Sequence, residues 1–181
     1  MTRRVLLAAL LLLLLLPGPA PAEEKWGPFR GRVVDGETGQ GIAEVVILAV
    51  WLEKWSSPIE THTRFYDAKE ALTRPDGTFE IPRLSPPFFR FRIMEPMFKV
   101  FAPGYAEHRW VITPPTGEPL VAPTVIEMRK LRTREELLKK SHYYPTSLVP
   151  DERMPLYIHA INIERKMLGL GPIGPAEGPS K

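Results

Sequence analysis

Residues 31–50 read Gly31-Arg-Val-Val-Asp-Gly-Glu-Thr-Gly-Gln-Gly-Ile-Ala-Glu-Val-Val-Ile-Leu-Ala-Val50. A short strand closes at Asp35, and the polar segment to Gly41 carries three glycines, which ease the positive φ angles of a tight turn. Val45 to Trp51 follow as an unbroken apolar, β-branched and aromatic run, too short for a membrane helix. A run of that kind predicts a strand buried on both faces, extending from Ala43 to about Leu52.

Working outward, Phe29, Gly31 and Val33 alternate with Arg30 and Arg32 at the period of a half-buried strand. Glu53 to His62 is irregular and reads as an exposed connection. Pro75-Asp76-Gly77 is a turn signal, with a hairpin expected to join 66–73 to 78–82. Further strands are expected at 97–101, 107–113 and 124–128, with Pro/Gly turns between them. Twenty-one prolines favour many short strands over a largely helical chain. The expected fold class is therefore mainly β, a seven-stranded antiparallel sandwich.

After Lys130 the period changes. Thr133 and Glu136 form a capping box ahead of Leu137-Leu138. A second helix is expected from Asp151 as N-cap, with Leu156, Ala160, Ile163 and Met167 on its apolar face and Gly169 as its stop. The predicted organisation is a signal peptide over 1–22, a β domain over 23–130, a two-helix extension over 131–170 and a disordered tail over 171–181. The signal reading rests on Arg3-Arg4, the apolar run Val5–Leu16 and a small-residue cleavage site ending at Ala22. It implies export, and the lack of cysteine suits a bacterial envelope, periplasmic or extracellular, better than a disulfide-stapled secreted domain. The net charge of +3 falls close to neutral once Arg3 and Arg4 are removed, and the basic residues are interspersed with acids, so no nucleic-acid partner is expected. Nor is a membrane span expected after cleavage.

Three stretches together carry a resemblance. Gly31-Arg-Val-Val-Asp35 with Thr38-Gly39-Gln40-Gly41-Ile42-Ala43, then Thr73-x-x-Asp76-Gly77-x-Phe79-x-Ile81-Pro82, then Phe101-Ala-Pro-Gly-Tyr105, resemble the signatures of carboxypeptidase regulatory-like domains, in that order. The resemblance covers 29–130 and implies a transthyretin-like β-sandwich that serves as a non-catalytic accessory or binding module. Gly41 stands where that family usually has proline, and Glu44 where it has a small residue.

Catalytic chemistry is sparse. The four histidines, His62, His108, His142 and His159, show no metal-ligand spacing. There is no cysteine, no Gly-x-Ser-x-Gly and no phosphate or dinucleotide fingerprint. Glu53, Glu60, Asp67 and Glu70 are carboxylates that acid–base chemistry would need paired across a cleft, and a solvated edge is the plainer account. No enzyme, cofactor or metal is expected. Two groups are candidates for binding. Phe88, Phe89 and Phe91 lie between strands, flanked by Arg90 and Arg92, and would form a protein-binding patch unless the loop buries its own rings over the open end of the sandwich. Trp55, His62 and Tyr66 would form an alternative, carbohydrate-stacking surface, with rim packing as the competing account.

Overall fold

The computed structural model describes residues 25–56, 60–85, 88, 92–111, 124–140 and 148–174. The Ala22 cleavage site, Phe89, Arg90, Phe91, His142 and the end of the tail lie outside them. The described strands are β1 (Phe29–Asp35), β2 (Val46–Ser56), β3 (Thr61–Leu72), β4 (Thr78–Ile81), β5 (Met97–Phe101), β6 (His108–Val111) and β7 (Thr124–Met128). Two helices follow, α1 (Arg134–Lys139) and α2 (Pro155–Met167), with a single 3-10 turn at Asp151–Arg153 before the second.

The protein is mainly β. One sheet has the order β4-β1-β7 and the other β3-β2-β5-β6. They share an apolar core in which Val33, Phe79, Ile81, Ile126 and Met128 of the first meet Val45, Ile47, Ala49, Trp51, Phe98 and Val100 from the second side. The expectation of an antiparallel sheet fails at one pair: β1 and β7 run parallel, with Val33 opposite Ile126. The two strands sit at opposite ends of the domain sequence, so no short hairpin constrains their direction.

The expected hairpin of 66–73 with 78–82 is also replaced, and the strands flanking the Asp35–Gly41 turn part in the same way. β1 and β2 lie in different sheets, as do β3 and β4. The turns themselves form: Asp35 Oδ1 accepts from the N–H groups of Glu37 (2.9 Å) and Thr38 (3.0 Å). The Arg74 N–H reaches the Thr78 carbonyl at 2.8 Å. Each turn carries the chain across the core instead of folding it back in the same sheet. The two crossings pack backbone to backbone, since a Cβ on Gly41 would stand 2.0 Å from the Asp76 carbonyl oxygen.

β2 extends to Ser56 and pairs with β3 along its whole length, so the expected connection at 53–62 belongs mostly to strands. Its ladder slips between Trp51 and Leu52, with Tyr66 as the extra residue of a bulge. The burial of β2 on both faces has two sources. Val45, Ile47, Ala49 and Trp51 face the other sheet, whereas Val46, Leu48, Val50 and Leu52 face α2 and its approach, packing with Val149, Met154, Tyr157, Ile158 and Ile161.

The capping box of α1 is present, with the Glu136 N–H donating to Thr133 Oγ1 at 3.1 Å and the Thr133 N–H to Glu136 Oε2 at 3.2 Å. Further bonds from the Arg132 N–H and the Arg129 guanidinium bring the Glu136 carboxyl down to about 2. For α2 the expected start and face are both displaced. Asp151 opens the 3-10 turn, and α2 begins with Pro155 at its first position. The buried stripe is Tyr157, Ile158, Ala160, Ile161 and Glu164, while Ile163 and Met167 are exposed. The inward stripe contains a charged residue because the Glu164 carboxylate meets the Lys140 ammonium at 3.0 Å, both side chains almost fully buried.

Candidate functional site

The loop before β5 reaches the end of β2 where β5 no longer covers it. The β2–β5 ladder closes at Val50–Met97, and beyond it the Met94 N–H donates to the Leu52 carbonyl at 2.8 Å while Ile93 bridges Glu53. Leu84 and Ile93 are buried in the core, and the Lys25 ammonium donates to the Ile93 carbonyl at 2.6 Å. Ile93, two residues beyond Phe91, is thus core. Phe88 is 92% exposed.

This arrangement brings together residues from both candidate groups. Arg92 lies with its guanidinium carbon 5.0 Å from the centre of the Trp55 ring, and that of Arg64 lies 5.3 Å from it. Both are cation–π distances. Trp55 itself is 43% exposed. The Trp55–His62 and Glu53–Arg64 pairs face each other across the β2–β3 ladder. Arg64 is fixed by Glu53 at 2.7 Å, and His62 Nε2 lies 3.2 Å from Glu60. Tyr66 is not part of this surface: it is half-buried and packs against the inner core.

The four carboxylates have structural partners. Besides Glu53 and Glu60, Asp67 pairs with Arg153. Glu70 accepts the N–H groups of Leu156 (2.9 Å) and Tyr157 (2.7 Å) at the start of α2. Among the described residues no group of three or more His, Asp or Glu is placed to hold a metal ion. No described helix is long and apolar enough to cross a membrane.

What the arrangement can do chemically is bind. An exposed indole beside two guanidiniums offers apolar area together with planar N–H donors for carboxylate or carbonyl groups. The proximity of Arg92 to Trp55 had no local sequence signal, because it depends on the 93–94 segment continuing the sheet beside β2. Comparisons with protein-family models, curated proteins and solved structures return no match.

Proposed function

We propose that this chain is an exported, non-catalytic β-sandwich of the carboxypeptidase regulatory-like kind, working in a bacterial envelope by binding a protein partner through Trp55, Arg92, Arg64 and Phe88. The observation that carries the reading is the exposed Trp55 ring with both the Arg64 and the Arg92 guanidinium at cation–π distance. Tryptophan and arginine are the residues on which protein interfaces concentrate their binding energy.

The three signature stretches support the family part of the proposal by meeting one another. Tyr105 Oη donates to Asp35 Oδ2 at 3.2 Å, joining the first stretch to the third. Thr73 Oγ1 donates to the Ile42 carbonyl at 2.6 Å and accepts from the Val45 N–H at 2.9 Å, joining the first to the second. Glu44, at the position where the family has a small residue, has φ +57°. Their work here is architectural, which agrees with a module that lacks catalytic machinery.

Carbohydrate binding is the second reading, and the same ring is its strongest support. It has lost Tyr66, and a sugar would compete with two guanidiniums for the indole. Replacing Arg92 by alanine separates the two. Binding to a protein partner should fall at least tenfold, as read by cross-linking of the purified chain to its envelope partner, whereas stacking of a glycan on the uncovered ring should hold or improve by tryptophan fluorescence. If neither Arg92→Ala nor Trp55→Ser changes capture of the partner in proteins that remain folded, this surface is not the interface.

A further inference from the structure

At the far end of β2 and β3, roughly 30 Å from Trp55 by the rise of nine strand residues, a recess of about 420 Å³ opens between the loop before β2 and the exposed side of α2. Ile42 and Leu72 line it from the strand side, and Leu156 and Ile163 from the helix. Leu72 is 45% and Ile163 42% exposed, although they stand on separate elements that face one another across the recess. The apolar stripe continues one turn along α2 to Met167, 64% exposed. α2 has already buried a full apolar face through Tyr157, Ile158 and Ile161, so this second stripe is surplus to its docking. Its volume falls within the range of about 300–1,000 Å³ typical of ligand sites.

The charge of the recess is one-sided. Among the described residues its titratable side chains besides Tyr105 are Glu44 and His159, and no described lysine or arginine lines it. Glu44 holds φ +57°, a left-handed backbone in which glycine is the unstrained choice. Among the described residues its carboxylate has no hydrogen bond or ion pair. A carboxylate kept at a strained position, exposed and without an intramolecular partner, beside an apolar recess, is a local conflict of the kind found at functional sites.

We infer that this recess binds a protein segment that presents an apolar side chain next to a lysine or arginine, the apolar group seated between Leu72 and Ile163 and the cation set against Glu44. The extension of the stripe to Met167 favours a peptide segment over a compact small molecule. Because the recess and the Trp55 surface lie at opposite ends of β2, the two can be occupied together, and the inference does not depend on what binds at Trp55.

The probe is a fluorescent eight-residue peptide of alternating leucine and lysine, titrated against the full purified chain, with leucine–glutamate and serine–lysine peptides as controls. The leucine–lysine peptide should bind at least tenfold more tightly than either control and should shift the amide resonances of Leu72, His159 and Ile163. Ile163→Asp should weaken it at least tenfold. Glu44→Gly is the decisive variant: it relieves the left-handed strain, so the melting temperature should rise while affinity falls at least tenfold, a split that a purely structural Glu44 cannot produce. Unchanged affinity in Glu44→Gly, or resonance shifts confined to the Trp55 end, overturns the inference. So does concentration-dependent dimerisation abolished by Ile163→Asp, which would give the recess to a second copy of the chain.

Discussion

The two faces of β2 are equally apolar and are covered in different ways. On the inner face Val45, Ile47, Ala49 and Trp51 meet a second sheet, positioned by turns whose backbones touch at Gly41 and Gly77. On the outer face Val46, Leu48, Val50 and Leu52 meet α2, fastened by charged groups drawn from distant parts of the chain. The Lys140 ammonium reaches Glu164 at 3.0 Å, the Ala102 carbonyl at 3.0 Å and the face of Phe101 at 3.6 Å from its centroid. The Glu164 carboxylate also accepts the Gly104 N–H at 2.7 Å. Strand cover is fixed here by backbone shape, and helix cover by buried polar contacts. Each should therefore break differently.

The inner arrangement should fail as a whole. Gly41→Ala places a methyl 2.0 Å from a carbonyl oxygen of the neighbouring crossing, and a backbone cannot rotate aside as a side chain can. The expected loss exceeds about 5 kcal/mol, comparable to the full stability of a domain, and the variant should lack a cooperative thermal transition. Gly39→Ala, in the same turn with φ +69° but open space around it, should cost only about 1 kcal/mol. Equal effects at the two positions would show that strain in the turn, and not the close approach, is what matters.

The outer arrangement should fail locally. Lys140→Met leaves the Glu164 carboxylate buried without its cation and should cost about 3–5 kcal/mol, while Lys140→Met with Glu164→Leu should recover all but about 1 kcal/mol. Hydrogen exchange should accelerate in α2 before it does in β1 and β4. Burial already pushes the Lys140 ammonium below the ordinary lysine value, and Glu164 draws it partly back. Simultaneous acceleration across both sheets would mean that the two covers are one cooperative unit.

The same contrast governs how much could be read in advance. The inner strands announce themselves by alternation, and the turns by Asp35 to Gly41 and Pro75-Asp76-Gly77. What local signals could not convey is that each turn crosses between sheets, because a tight turn has the same residue chemistry whether its strands pair or part. On α2, Glu164 counts as polar in any periodicity, which rotates the apparent apolar face onto Leu156, Ile163 and Met167. Its partner Lys140 lies in another element, so only the tertiary structure neutralises it. The candidate surface was half legible: Trp55 and Arg92 each stood out as an aromatic or a cation, and their contact depends on the 93–94 segment bridging to β2. Tyr66 has polar neighbours in the sequence, and only the sheet shows that it is half-buried and packs against the inner core.

Glu70 gives the smallest and most discriminating test of the outer face. It stands on β3 and its two carboxylate oxygens accept the N–H groups of Leu156 and Tyr157. It does the work of the missing cap, since Met154 at the N-cap position has no side-chain cap bond. Burial raises the Glu70 pKa above its ordinary value, and the two N–H groups lower it only in part. The folded chain thus holds this proton more tightly than the unfolded one. Its stabilising contribution is full below the unfolded pKa and is lost as pH rises through the folded one. Glu70→Gln keeps one of the two acceptor oxygens and has no such slope, so the wild type should lose ground to it as pH rises, whereas Glu70→Ala, which removes both acceptors, should lose about 1 kcal/mol at pH 7. Asp35, Asp76 and Glu136, whose values are lowered, contribute stability that is lost as pH falls, but equally in both proteins, so the difference in urea midpoint between wild type and Glu70→Gln isolates this one group. A wild type that gains on the glutamine variant as pH rises would reverse the ranking: the attraction of a charge to the helix start would then outweigh its burial, and the outer cover would be held by the sign of its charges as well as by their hydrogen bonds.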